Sequence, residues 1–152
     1  MIDSEKNKEI IELLRTSFAP KAAFQSSVLF DRNAGQDLDD TAFFLTFDPS
    51  NSNAKDAMLH GTYALSYFSF DALRRFLPEL MIASLHNRFS YQPIIDAIVL
   101  GASSLKNGWG RHLEKLSNPE RSAILGWFNL LETSARYDSY EIAKAMNSIR
   151  AI

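Results

Sequence analysis

The chain has 152 residues, 46% of them apolar and 22% charged, which is ordinary globular usage and excludes disorder as the default. It contains no cysteine, so it holds no disulfide, no thiolate metal site and no Cys nucleophile. A net charge of −2 argues against a nucleic-acid ligand, which needs a concentrated basic surface.

A chain of this length is expected to form one domain, spanning 1–152, and to bury roughly 68–70% of the surface its unfolded form exposes. Met1-Ile2-Asp3-Ser4-Glu5-Lys6 has no apolar leader core, and no run of 18 apolar residues occurs. A cytoplasmic protein with no membrane contact is therefore expected. The charge is uneven: residues 31–56 carry six acids against Arg32 and Lys55, a local net of −4. Residues 57–125 carry seven bases against five acids. The acidic stretch favours a basic partner; a solvated loop is the plainer reading of the same residues.

The first helix is predicted over 4–18. Asp3 or Ser4 caps it, Ile10, Ile11, Leu14 and Phe18 share one stripe, and Pro20 ends it. Residues 21–30 read two ways, Ala22-Ala23-Phe24 as helix and Val28-Leu29-Phe30 as a short strand. Residues 31–37 are loop by composition. Asp39 or Asp40 then caps a short helix through Phe47 that holds Phe43, Phe44 and Leu45. Residues 48–53 form a second loop, rich in side chains that hydrogen-bond their own backbone. The segment 21–53 is thus expected to be irregular and acidic.

From Ala54 the chain reads as helix nearly to its end, beginning with a short one over 54–60. Ser69 caps a helix over 70–86, with Asp71 in its first turn. Phe70, Leu73, Phe76, Leu77, Leu80 and Met81 form its buried ladder, and Pro78 falls inside the pattern and bends it. Ser90 caps the next, over 90–105, whose Tyr91, Ile94, Ile95, Ile98, Val99, Ala102 and Leu105 make a helical stripe. Pro93 sits in its first turn. A connection of about three residues predicts that these two helices are antiparallel neighbours in the core. Gly108 and Gly110 bracket Trp109 in a turn, and 111–116 form a short helix.

Asn118-Pro119-Glu120 is the strongest helix start in the chain, with Asn118 as cap and Pro119 at the first helical position. This helix buries Ala123, Ile124, Trp127, Phe128 and Leu131. A last one, over 137–149, aligns Ile142, Ala145, Met146 and Ile149. No repeat and no linker divides the chain. The predicted fold class is all-α, a single-domain bundle of six to seven helices.

The stretch 65–81, with Phe68-Ser69-Phe70-Asp71-Ala72 and Phe76-Leu77-Pro78, and the stretch 116–131, with Leu116-Ser117-Asn118-Pro119-Glu120, resemble a family of small bacterial helical proteins known as a domain of unknown function. Its members read leucine, serine or threonine, proline, glutamate, alanine, phenylalanine, then tyrosine-leucine-proline, then a second threonine-proline-glutamate start. Here Phe70 stands where proline is usual, and one extra residue precedes Pro119. Both motifs are capping and packing chemistry. The resemblance therefore implies a helical fold and brings no catalytic residue.

No catalytic constellation stands out. His60, His86 and His112 lie on separate segments, without a spacing that places two ligands on one helix face. Asp37, Asp39 and Asp40 lack the alternating ligands, the glycine and the distal glutamate of a calcium loop. Arg74, Arg75, Arg88, Arg111 and Arg121 suggest an anion pocket, but adjacent Arg74 and Arg75 point apart on a helix. Ion pairing with Asp71 or Glu79 accounts for them more simply. Gly108-Trp109-Gly110 has no Lys-Ser/Thr ending of a phosphate loop, and Ser26-Ser27 and Ser103-Ser104 lack a nucleophile elbow. Neither cofactor nor metal is expected.

The unusual feature is the aromatic load of 11 Phe, 5 Tyr and 2 Trp, part of which falls beside the acidic loops. Aromatic anchors rimmed by acids suit a protein-binding surface. The expected function is a non-enzymatic protein-binding module, immunity-like or antagonist, that contacts a basic partner through Asp37, Asp39, Asp40, Phe43 and Phe44. Two alternatives remain open. One is a small enzyme or ligand-binding regulator with a pocket between the helices at 70–86 and 90–105. The other is a homo-oligomer subunit that dimerises through its last helix.

Overall fold

The computed structural model describes residues 4–18, 29–31, 38–47, 54–87, 92–104, 106, 108–133 and 139–152. Asp3, Pro20, the 21–28 segment, the loops at 32–37 and 48–53, Arg88, Ser90, Tyr91, Leu105 and Tyr137 lie outside the described residues. Among the described residues the fold is all-α: α1 (Ser4–Ser17), α2 (Leu38–Phe43), α3 (Ala54–Ala64), α4 (Phe70–Asn87), α5 (Gln92–Ala102), a 3-10 helix (Gly108–Lys115), α6 (Asn118–Glu132) and α7 (Ser139–Arg150). None of these helices is long and apolar enough to cross a membrane. They gather in two compact units, Lys21–Ile98 and the pair of segments Met1–Pro20 and Val99–Ile152, with the boundary inside α5.

In the unit Lys21–Ile98, α2 packs on α3 and α3 on α4. The turns of α3 bury Ala57, Met58, Gly61 and Ala64 at helical spacing. Gly61 allows the close approach to α4, because a Cβ there would lie 2.7 Å from Leu80 Cδ2. The start of α4 is as expected: Ser69 Oγ accepts the Ala72 N–H at 3.2 Å, and Asp71 stands in the first turn. Pro78 lies inside the helix, and Leu73, Phe76, Leu77, Leu80 and Met81 are buried. Of the stretch read as either helix or a short strand, Leu29 and Phe30 are described, and Phe30 forms an isolated antiparallel bridge with Phe68. Ser69 N–H donates to Leu29 O at 2.9 Å, and Asp31 N–H to Tyr67 O at 3.1 Å. The connection at 88–91, on which the expected antiparallel pairing of α4 and α5 rests, lies outside the described residues.

In the other unit α6 is central, with α1 and α7 packed on it. Leu14 and Phe18 of the first segment are buried, as are Ile142, Ala145, Met146 and Ile149 of α7. Gly126 lets α1 approach, since a Cβ there would meet Ile10 Cδ1 at 3.1 Å and Leu13 Cδ2 at 3.3 Å. The cap of α6 differs from expectation by one residue. Ser117 is the N-cap, and its Oγ accepts the Glu120 N–H at 3.2 Å while Ser117 N–H donates to Glu120 Oε1 at 2.9 Å. Asn118 is the first helical residue, and its Oδ1 accepts instead from Arg121 Nη2. The reciprocal Ser-x-x-Glu pair satisfies two backbone donors, which a lone Asn cap does not. The short helix expected over 111–116 is a 3-10 helix that begins earlier, at Gly108, whose φ of 62° is left-handed. Trp109 is buried against Gly101, where a Cβ would come within 2.3 Å of the indole.

Candidate functional site

The acidic and aromatic residues singled out by the sequence fall on α2 and the turn after it. Asp37 lies outside the described residues, one position before α2. Asp39 and Asp40 are not caps but first-turn residues, where the helix dipole favours a carboxylate. Asp39 is exposed. Asp40 is half-buried and engaged: its Oδ1 lies 3.0 Å from His60 Nδ1 on α3. A carboxylate only accepts, so Nδ1 carries the hydrogen of this bond. Phe43, one turn on from Asp40, stacks on the same imidazole with 4.4 Å between ring centroids and 20° between planes. Asp40 and Phe43 together hold α2 against α3.

Phe44 is 2% exposed and belongs to the interior, not to a surface. Its ring meets Phe68 edge-on at 5.1 Å and Phe76 at 5.1 Å, and Phe47 closes on Phe76 at 5.5 Å. A ring already desolvated in this way has no exposed area left to offer a partner. Phe43 and Phe47 are half-buried. Of the four expected contact residues that are described, Asp39 is exposed, Asp40 and Phe43 are half-buried, and Phe44 is buried.

The structure adds residues that the sequence reading missed. Leu45, after α2, is 50% exposed, and Leu59 and Tyr63 of α3 are 42% and 51% exposed. Leu59 and Tyr63 are one helical turn apart on the side away from Ala57, Met58, Gly61 and Ala64. A signal for them existed. The run Ala57-Met58-Leu59, Gly61, Tyr63-Ala64-Leu65 is more apolar than one buried stripe requires. The Asp40–His60 pair had none, because its members are 20 positions apart.

The remaining candidates do not converge. His86 is exposed at the end of α4, and His112 is buried in the 3-10 helix. Arg74 lies over Phe70 at 5.4 Å and Arg75 over Phe76 at 5.8 Å, each against a ring of its own helix. Arg111 donates to Gly108 O, and Arg121 to Leu113 O at 3.3 Å and to Leu116 O. Arg111 and Arg121 thus serve backbone carbonyls. Among the described residues, no three His, Asp or Glu side chains are grouped to hold a metal ion. A groove of about 220 Å³ between α1 and α6 is lined by Ile10, Gly126 and Leu130, with Lys6, Glu9 and Asn129. That is below the usual size of a small-molecule site, roughly 300–1,000 Å³.

Comparison with protein-family models, with curated proteins and with solved structures returns no match.

Proposed function

We propose that this protein is a non-enzymatic, cytoplasmic protein-binding module, immunity-like or antagonist in role, whose partner is basic. The resemblance of 65–81 and 116–131 to a bacterial family of unknown function is part of the same proposal. The observation that carries it is the outer surface of α2 and α3, where exposed Asp39 and Asp56 accompany Leu45, Leu59 and Tyr63. Apolar residues rimmed by more carboxylates than lysines, here Asp39 and Asp56 against Lys55, suit recognition of a basic partner.

The test is affinity capture from the native host, followed by association kinetics of the captured protein. Replacing Asp39 and Asp56 by Asn is expected to slow association and flatten its salt dependence. A partner that binds both forms at the same rate at every salt concentration defeats the proposal. A homo-oligomer built on α7 is the second reading, favoured by Tyr140, which is 70% exposed on that helix. Light scattering at micromolar concentration decides it.

A further inference from the structure

Leu59 and Tyr63 stand four positions apart on α3, and such pairs form the ridges by which one helix packs into the grooves of another. The helix has 11 residues, so the ridge runs along an element roughly 16 Å long. We infer that this ridge receives a basic amphipathic helix of the partner, an inference that rests on the protein-binding reading above. Charge settles the occupant. Asp56 precedes Leu59 by three positions, Asp39 is exposed on the helix packed against α3, and Lys55 is the one lysine or arginine on α2 and α3. A second copy of this chain would bring the same excess of carboxylates, Asp39 and Asp56 against Lys55, to the contact, and like charge across an interface costs affinity. A basic helix meets the same carboxylates favourably while its apolar stripe covers Leu59 and Tyr63. Tyr63 is the anchor, because a large aromatic with a polar tip loses most when its contact is removed.

The experiment titrates isotope-labelled protein with a synthetic helical peptide of leucine and lysine, its leucines at i, i+4 spacing. Two controls accompany it: the same composition scrambled so that no face forms, and a leucine-glutamate version. The expected result is amide shifts centred on α3 and α2, weakened by salt, for the first peptide alone. Tyr63→Ala should weaken binding about tenfold, as loss of one anchor does, whereas Tyr63→Phe retains most of it. Unchanged thermal melting of both variants shows that the loss is not unfolding. If the scrambled peptide binds as well, or Tyr63→Ala has no effect while Asp39→Asn does, the helix inference is overturned and the acidic binding surface stands. If the glutamate peptide binds equally, or the shifts fall outside α2 and α3, both are overturned.

Discussion

Two residues at the start of α6 show how little separates a right reading from a near miss. The Asn-Pro-Glu run does open a helix, but the side chain that caps it is Ser117, with buried Glu120 returning the bond. Ser117→Ala is expected to cost about 0.5–2 kcal/mol in urea unfolding, and Asn118→Ala measurably less, because Asn118 accepts only from neighbouring Arg121. Gly110 is the least replaceable glycine described. A Cβ there would stand 2.1 Å from Ser104 O and 2.2 Å from Gly101 O, and backbone cannot swing aside as a side chain does. Gly110→Ala should therefore lose at least the ~1–3 kcal/mol typical of overpacking, read as a lowered thermal midpoint. Phe44→Ala empties the centre of the ring cluster and should cost about 3–5 kcal/mol. Had Phe44 been a surface anchor, its removal would leave the melting curve unchanged.

Among the elements, those with a sustained stripe were legible before any coordinates. α6 buries Ala123, Ile124, Trp127, Phe128 and Leu131, and α7 buries Ile142, Ala145, Met146 and Ile149, as their spacing requires. Ile94, Ile95, Ile98 and Val99 of α5 are likewise buried, so Ile98→Ala is expected to cost about 2–5 kcal/mol in denaturant unfolding. Short elements resisted the same logic for physical reasons. In six-residue α2, Phe43 and Phe44 are adjacent and too few neighbours exist to set the phase, so the one that faces inward could not be picked. The 3-10 helix repeats near i+3, close enough to the α period that 111–116 reads as an α-turn. The Phe30–Phe68 bridge and the Asp40–His60 pair join distant segments, and spacing along the chain carries no trace of either. That pair is about a quarter exposed on both sides, so solvent screens it. A double-mutant cycle with Asp40→Asn and His60→Gln should return a coupling of only about 0.2–1 kcal/mol.

At the scale of the whole molecule, the division Met1–Pro20 with Val99–Ile152, around Lys21–Ile98, has a consequence for synthesis. Of the described helices α1 is made before α6, yet the surface it packs on belongs to α6, which begins at Asn118. At translation rates of about 5–20 residues per second, α1 leaves the ribosome roughly 5–20 s before α6 exists. During that interval the segment that buries Leu14 and Phe18 has no docking site, while the residues from Lys21 to Ile98 are already available to pack among themselves. On the ribosome, then, α1 waits for its place until α6 has been made. A refolding experiment, in which α6 is present from the first moment, removes that wait.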